Sequence, residues 1–501
     1  MRKLAFLLAL SAAMTSGAAA QTNLRIGLAE DPDVLDPTLA RTYVGRIVFA
    51  SICDKLFDID EKLGIVPQLA LGHDTAADGK TVTIKLRPGV KFQDGEDFDA
   101  QAAKYSLERH LTLKGSFRKP EISVLDNIEV ADPLTIKLHL KQPFSPLLAQ
   151  LTDRAGMMVA PKAAEAAGDK FGLHPVCAGP YKFVERVPEG RIVVEKFADY
   201  WDKDRVFIDK ITYQPIVDGT VRLANLRSGS LDLIERVQAT DIRSVRADPH
   251  LKLSKAVSLG YQGLTLNLAN GPKADNPLAK DPRVRQALEL SLDREVINQV
   301  AFNGEFVPGN QWISPQHPYY QEAFPIPKRD VAKAKELLGQ AGVKTPLIVD
   351  YMVPQGVENK AVAEVAQSMA AEAGFDLRIR VTEFATSLKE SEDGNYQVYQ
   401  IGWSGRPDPD GNSYSFQTCG SPFNVSHYCD KEVDAAHQLA RAKSEFAERK
   451  KAYEIVAGKT LTDLPVIYLY HPQVLVAHTD RLEGYRPMPD GLVRVIGLKL
   501  H

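Results

Sequence analysis

Residues 347–381 contain the pattern that most restricts the fold. Leu347 to Val353 form a short apolar run typical of a buried strand, and residues 359–373 have the composition of a helix ending at Gly374. Leu377, Ile379 and Val381 then alternate as a second strand. Two neighbouring strands joined through a helix pair in parallel, because the connection returns the chain to the edge where it started. This part of the chain is therefore predicted to be α/β.

In the first half of the chain, the predicted strands are not separated by helices of the kind found in a β-α-β unit. Residues 80–87 alternate after the turn signal Asp78-Gly79, residues 135–140 alternate in the same way, and residues 191–196 are a further strand candidate. Alternation next to such turns is typical of antiparallel hairpins. The joint between the two halves is predicted near residues 260–268.

Two longer helices are predicted in the second half. Asp281 is a good N-cap with Pro282 at the first helical position, and a charged helical stretch covers residues 431 to about 459. Behind Pro282 an apolar residue recurs every four positions, which predicts an amphipathic stripe: Val284, Leu288, Leu292, Val296 and Val300.

The N-terminus has the order of a secretory signal peptide. Arg2 and Lys3 are followed by an apolar run over residues 4–10 and by small residues that end at Ala20. That run is too short for a membrane span, which needs ~20 apolar residues. We expect residues 1–20 to be a leader cleaved near Ala20, with a periplasmic mature chain. An ordinary N-terminal helix is the alternative interpretation.

Charge and size exclude some classes of partner. The 501 residues include 61 basic and 64 acidic side chains without a long run of either sign, so nucleic acid and anionic membranes are poor candidates. With 44% hydrophobic residues, the chain is predicted to be globular and to form more than one domain.

The four cysteines suggest disulfides, because an exported chain meets an oxidising compartment. Cys419 and Cys429 are close in sequence and are predicted to close a small loop. Cys53 and Cys177 are then left as a second, long-range pair. Four free buried thiols are the alternative, since sequence alone does not fix connectivity.

Enzyme motifs are incomplete in this sequence. Gly79-Lys80-Thr81 resembles the end of a phosphate-binding loop, but Asp74 occupies the position of its first glycine. Residues 408–412 resemble the start of a calcium loop, but Ser413 and Cys419 stand where glycine and glutamate are needed. The histidines show no zinc spacing. We expect no catalytic residue, metal or cofactor.

Ordered segments resemble the bacterial extracellular solute-binding proteins, family 5, which include dipeptide, oligopeptide, glutathione and nickel binders. The segments run through nearly the whole chain, and together they are far more specific than any one alone: DVLDP at 33–37, KLRPGVKFQDGEDFD at 85–99 followed by residues 103–107, GPYKF at 179–183 with Glu195-Lys196 and Tyr200-Trp201, DPRVRQAL at 281–288 with Asp293-Arg294, and GWSGRPDPD at 402–410 with Asn424, Ser426, Tyr428 and Cys429.

The resemblance implies an α/β, two-lobe periplasmic binding protein fold of type II, in the large peptide-binding class. Lobe I would comprise residues 21–262 and 474–501, with an inserted subdomain at about 60–175, and lobe II residues 263–473. The resemblance also implies a monomer that captures a peptide or small polar solute and delivers it to ABC permease subunits driven by cytoplasmic ATPases.

The ligand site implied by the resemblance has a reversed charge. Peptide binders of this family have an aspartate at or near the position of Arg406, where it pairs with the ligand's amine. A guanidinium suits a carboxylate or phosphate instead. Arg406 is therefore predicted to anchor an anionic group, with Trp403 and Ser404 beside the ligand. A surface or interlobe salt bridge by Arg406, with Trp403 in the core, is the alternative.

Further candidate contacts lie on both sides of the expected cleft. Asp408 or Asp410 would accept a ligand amine if the loop is shifted, and Tyr43 and Tyr261 are candidates for pocket walls. Glutathione-like anionic peptides, amino-acid conjugates and opine-like compounds suit Arg406 best, and a nickel or metal complex is a lesser variant because no histidine cluster supports it. An exported ligand sensor or chaperone-like protein is the alternative function, and an exported hydrolase is a weaker one.

Overall fold

The computed structural model describes residues 21–501, so the predicted leader at 1–20 lies outside the described residues. In residues 21–501 no helix has the length and apolar character needed to cross a membrane. Up to residue 257 the helices and strands are, in chain order: β1 Asn23–Leu28, α1 Tyr43–Ile52, β2 Phe57–Ile59, β3 Ile65–Pro67, β4 Ala70–Thr75, β5 Thr81–Leu86, α2 Ala100–Thr112, α3 Lys119–Ile122, β6 Leu125–Asp132, β7 Thr135–Leu140, α4 Leu147–Gln150, α5 Pro161–Ala167, β8 Tyr181–Val187, β9 Arg191–Lys196, β10 Lys210–Pro215, α6 Gly219–Arg227, β11 Leu233–Ile234, α7 Ile242–Arg246 and β12 Leu251–Val257.

The rest of the chain contains the longer helices. Its elements are β13 Tyr261–Leu266, α8 Pro277–Lys280, α9 Pro282–Ser291, α10 Arg294–Phe302, β14 Val307–Pro308, α11 Val331–Gln340, β15 Leu347–Pro354, α12 Val357–Ala373, β16 Phe375–Thr382, α13 Phe384–Glu392, β17 Val398–Trp403, α14 Asp410–Gln417, α15 Lys431–Ala442, α16 Phe446–Asp463, β18 Val466–His471, β19 Gln473–Thr479, β20 Leu482–Glu483 and β21 Lys499–Leu500.

Two large mixed sheets organise the molecule. A seven-stranded sheet has the order β12-β19-β11-β1-β10-β9-β8, and a six-stranded sheet has the order β14-β18-β13-β17-β15-β16. A four-stranded antiparallel sheet, β4-β5-β7-β6, is inserted between β1 and β8 in the chain. We call the seven- and four-stranded sheets with their helices lobe I, and the six-stranded sheet with its helices lobe II.

The chain passes between the lobes twice. It leaves β12 after Val257 and enters β13 at Tyr261, and it returns between His471 and Gln473. Because β19 lies between β12 and β11, lobe I is completed only when the end of the chain returns to it. The residue limits given above for the lobes and for the inserted subdomain stay a prediction.

The β-α-β prediction is confirmed. β15 and β16 pair in parallel from Leu347↔Phe375 to Pro354↔Thr382, and α12 lies between them in the chain. Gly374 ends the helix at φ +106°, a left-handed conformation that suits glycine. The predicted turn at Asp78-Gly79 joins β4 to β5, as expected for a hairpin.

The prediction of one amphipathic stripe from Val284 to Val300 was wrong beyond Leu292. Helix α9 ends at Ser291, and α10 begins at Arg294, because the Asp293 side chain caps a new helix by accepting from the backbone N–H of Glu295 and Val296. Val296 and Val300 consequently lie on the exposed face of α10. The predicted helix at 431–459 is likewise two helices, α15 and α16.

Both predicted disulfides are present. Cys419–Cys429 closes a short loop, and Cys53–Cys177 joins the end of α1 to the segment before β8. All four cysteines are paired. The long-range bond therefore fixes α1, which contributes to the site below, to the seven-stranded sheet.

Candidate functional site

The lobes are closed on one another. Arg41 of lobe I pairs with Glu392 of lobe II, with Nη2 and Oε1 2.9 Å apart. Next to α15, the backbone N–H of Ser145 donates to the carbonyl of Arg441 over 2.8 Å. Residues between these contacts are shielded from water, which strengthens any electrostatic interaction there.

Asp153 of lobe I lies at the centre of the enclosed region. Its Oδ2 is 2.8 Å from Nε of Arg406, which lobe II contributes, and 2.9 Å from Nη2 of Arg46 on α1. Nε of Arg154 lies 3.8 Å from the other carboxylate oxygen. These four side chains are each at most 4% exposed. One buried carboxylate therefore joins arginines from both lobes.

Local structure holds Arg406 in place. It follows β17, and Asn412 on α14 accepts from its backbone N–H over 2.6 Å and donates to its carbonyl over 3.0 Å. The preceding Gly405 has φ +81°, and a Cβ there would overlap the backbone carbonyl of Leu259, where the chain passes between the lobes. The loop therefore rests directly against the hinge.

Asp153 is fixed from the lobe I side. It caps a short 3-10 turn, Arg154–Gly156, by accepting from the backbone N–H of Arg154 over 2.7 Å. Arg154 in turn donates from Nη1 to the carbonyl of Ala40 over 2.7 Å. Arg118 precedes α3 and pairs with Glu121. We call Arg46, Arg118, Arg154 and Arg406 the arginine cluster.

The arginine cluster carries more positive charge than its surroundings neutralise. Its four guanidiniums face two carboxylates, Asp153 and Glu121. The neighbouring charged groups are paired with one another: Arg109 with Asp36, and Lys55 and Arg494 with Asp58 and Asp490. The buried Asp54 accepts from Tyr200 and Trp201, and burial raises its pKa to about 7. The cluster is thus left with an excess of two positive charges.

The pKa shifts reflect this crowding. Burial lowers the pKa of Arg406 to about 10, although the Asp153 carboxylate opposes the change. Burial, reinforced by Arg118, lowers the pKa of Arg154 well below its usual value. Burial alone would raise the pKa of Asp153, but Arg406 and Arg46 hold it well below its usual range. The protonated forms of Arg154 and Arg406 are destabilised, and an additional anion would stabilise them.

An aromatic wall lies beside the arginine cluster. The Arg406 guanidinium lies over the Trp403 ring, 4.5 Å from its centroid. Trp403 contacts Phe416 and Phe423 with centroid separations of 4.9 and 6.0 Å, and Phe423 faces Phe117 of lobe I at 6.1 Å. The site therefore combines a cationic end with half-buried rings, the usual composition of a small-molecule pocket.

The other predicted site residues are distributed unevenly. Ser404 accepts from Nη1 of Arg46 at 3.4 Å, so it belongs to the same contact. Asp408 and Asp410 are paired with Arg449 and Arg441, respectively, at 2.7 and 3.0 Å. These two carboxylates are already occupied by arginines of lobe II.

The two tyrosines lie apart from the arginine cluster. Tyr43, one helical turn before Arg46, donates its hydroxyl to the carbonyl of Gly491 over 2.7 Å and packs under Arg236. Tyr261 is 4% exposed and lies in the lobe II core against Tyr468. Tyr261 supports the aromatic wall from behind rather than lining it.

Sequence reasoning did not single out Asp153, Arg46, Arg118 or Arg154. One signal was available, because Arg46 is the only charged residue of the apolar helix YVGRIVFASI. A charge on an apolar helix usually has a partner. Nothing local indicates that this partner is Asp153, 107 residues away.

We expect Gly405→Ala to displace the Arg406 loop. The left-handed φ costs an alanine ~1–2 kcal/mol, and the overlap with Leu259 adds a strain of ~1–3 kcal/mol. Gly420→Ala is the matched control, because Gly420 has φ +70° with no atom within 4 Å of the added Cβ. Urea denaturation should show a clearly larger loss for Gly405→Ala. Equal losses would mean that the Leu259 contact is unimportant.

In residues 21–501 no group of three or more His, Cys, Asp or Glu side chains is placed to hold a metal ion. The sequence model of bacterial extracellular solute-binding proteins, family 5 Middle, matches residues 64–424.

Related sequences cover almost the whole chain. The glutathione-binding protein of Pectobacterium atrosepticum is 29% identical over 470 residues, which are 91% of this chain and 90% of that protein. The glutathione-binding protein of Salmonella paratyphi A is 30% identical over 468 residues, with the same coverage of both chains.

Solved structures share the fold and confirm the predicted type II, two-lobe architecture. The periplasmic binding protein AgaA of A. tumefaciens R10, in complex with agropinic acid, superposes with a TM-score of 0.86 at 27% identity over 96% of this chain and 99% of that one. The dipeptide binding protein of Pseudoalteromonas sp. SM9913, in complex with Met-Leu, gives 0.88 at 21% identity over 96% and 100%.

Proposed function

This chain belongs to the bacterial extracellular solute-binding proteins, family 5, and from that premise we propose that it captures a small anionic solute between its lobes for an ABC importer. The family is periplasmic, and its members are solute-binding subunits rather than enzymes. The finer proposal concerns the solute, which we take to be a peptide or amino-acid conjugate bearing an acidic group.

One observation supports the anionic solute above all: the excess positive charge of the arginine cluster between the lobes. Buried charge without a counterion is strongly unfavourable, so a binding site that retains it is suited to an anion that supplies the missing charge. Relatives named for glutathione and a neighbour holding agropinic acid are consistent with this chemistry. An ordinary peptide amine placed at Arg406 would meet a positive charge instead.

The position of the arginine cluster suggests how binding is coupled to closure. Arg406 comes from lobe II, whereas Arg46, Arg118 and Arg154 come from lobe I. An anion held by both sets stabilises the closed state selectively, and a ligand shifts an equilibrium only by such differential binding. The closed, loaded monomer would then dock on permease subunits whose ATPases drive import. The leader at 1–20 would direct the chain to the periplasm.

Native mass spectrometry of the protein purified from its periplasm tests the proposal. We expect a copurifying small molecule with at least one carboxylate or phosphate. After removal of the ligand by unfolding and refolding, acidic peptides such as glutathione should raise the melting temperature, because a ligand that binds only the folded state stabilises it by mass action. The same peptides with amidated carboxylates are the control. Equal stabilisation by the amides would contradict an anionic ligand.

A further inference from the structure

The arginine cluster contains buried donors that the protein leaves unused. Nε of Arg118, Nε of Arg154 and Nη2 of Arg406 have no hydrogen-bond partner, although the three side chains are only 1%, 2% and 4% exposed. Buried guanidinium N–H groups are nearly always paired, because each unpaired group costs ~1–3 kcal/mol or more when charged. Three such donors in one cluster point to acceptors supplied from outside the chain.

Other nitrogens of these arginines bind within the protein. Arg118 pairs with Glu121 through Nη1, and Arg154 donates from Nη1 to the carbonyl of Ala40. Arg406 pairs with Asp153 through Nε and donates from Nη1 to the carbonyl of Gly405 over 2.7 Å. These contacts hold the guanidiniums in place and leave at least one buried nitrogen on each without a hydrogen-bond partner.

We propose that the solute carries two negative charges close together and that Arg118, Arg154 and Arg406 bind them jointly. This rests on the proposed function and specifies its ligand. Two acceptors of the cluster, Glu121 Oε2 and Asp153 Oδ2, also lack a hydrogen-bond partner. Glu121 is 14% exposed and its other oxygen already pairs with Arg118. Asp153 Oδ2 already forms ion pairs with Arg406 and Arg46 at 2.8 and 2.9 Å. With two carboxylates against four guanidiniums, a monoanion leaves one charge uncompensated, whereas a dianion leaves none. Two adjacent carboxylates or one phosphate monoester meet this requirement.

The charge of the ligand is the variable to test. Succinate, succinamate and succinamide have nearly the same size and carry two, one and no negative charges, and inorganic phosphate at pH 8 represents the phosphate alternative. Calorimetric titration of the refolded, ligand-free protein should show that succinate or phosphate binds at least tenfold more tightly than succinamate, and that succinamide does not bind. A stronger response to one of the two dianions identifies which kind of group the site prefers.

Removing one anchor should abolish the preference. Arg154→Gln is expected to reduce the succinate-to-succinamate ratio to below threefold, while Arg191→Gln, an exposed arginine with the same loss of net charge, leaves it unchanged. Arg118→Gln replaces Arg154→Gln if that variant fails to fold. The comparison of succinate, succinamate and succinamide on the wild-type protein requires neither variant.

The outcomes separate the two proposals. Three outcomes would overturn the proposal of a dianionic solute. They are equal affinity for succinate and succinamate, an unchanged succinate-to-succinamate ratio in Arg154→Gln, and no binding of any probe at millimolar concentration. If succinamide also bound with the affinity of succinate and succinamate, the proposed function, capture of an anionic solute, would itself be overturned.

Discussion

Replacing Asp153 by asparagine should destabilise the protein by ~3–5 kcal/mol, the cost of leaving a buried charge without its partner. Asparagine has the same shape and can still cap Arg154. It places either an amide NH₂ or an uncharged oxygen where Oδ2 now meets Arg406 and Arg46 at 2.8 and 2.9 Å. The arginine cluster then keeps four positive charges against Glu121 alone. The lobes, which Asp153 holds together, should also separate more readily.

Equilibrium unfolding in urea and small-angle X-ray scattering measure the two effects. Asp132→Asn is the control, because Asp132 is half exposed and lies 3.9 Å from Lys85, so its removal should cost less than ~1 kcal/mol. The radius of gyration should rise in Asp153→Asn and stay constant in Asp132→Asn. A loss for Asp153→Asn no larger than that of the control would show that water or another anion already compensates the arginine cluster.

Local sequence patterns predicted those helices, strands and turns that are determined by residues close together in the sequence. The β-α-β unit at 347–382 and the turn at Asp78-Gly79 depend on neighbours in sequence, so periodicity and turn residues were sufficient. The same reasoning failed at Asp293, where a competing N-cap ended one helix and began another. A hydrophobic stripe indicates which residues would lie on one face of a continuous helix. A strong N-cap residue within the stripe can end that helix and begin another.

The site was predictable only where one residue departed from a familiar motif. Arg406 stands out in the sequence because its charge is opposite to that expected in a peptide binder. Asp153 carries no local signal of its role: it follows a short helix and caps a turn, and its partners at 46 and 406 are joined to it by tertiary structure alone. The periodicity of apolar residues indicates which side chains are buried. It does not indicate which charged residues, distant in sequence, come together when the lobes close.

Arg406→Ala should lower affinity for the physiological solute at least ~100-fold, or about 3 kcal/mol. The substitution removes the lobe II contribution to the arginine cluster, one free donor and the cation above Trp403. Folding should be nearly unaffected, because Asp153 keeps Arg46 at 2.9 Å and the cluster loses one of its two excess charges. The two variants thus act in opposite ways: Asp153→Asn weakens the folded protein, whereas Arg406→Ala weakens binding.

Arg406→Lys separates charge from geometry. An ammonium retains the positive charge but lacks the planar fork that reaches Asp153 and a ligand oxygen at once, so we expect an intermediate loss of about tenfold. Calorimetry with the copurified solute, accompanied by circular dichroism to confirm the fold, measures both variants. Affinity within twofold of the wild type in a folded Arg406→Ala protein would assign Arg406 to lobe closure alone. Ligand recognition would then rest on Arg118 and Arg154 of lobe I.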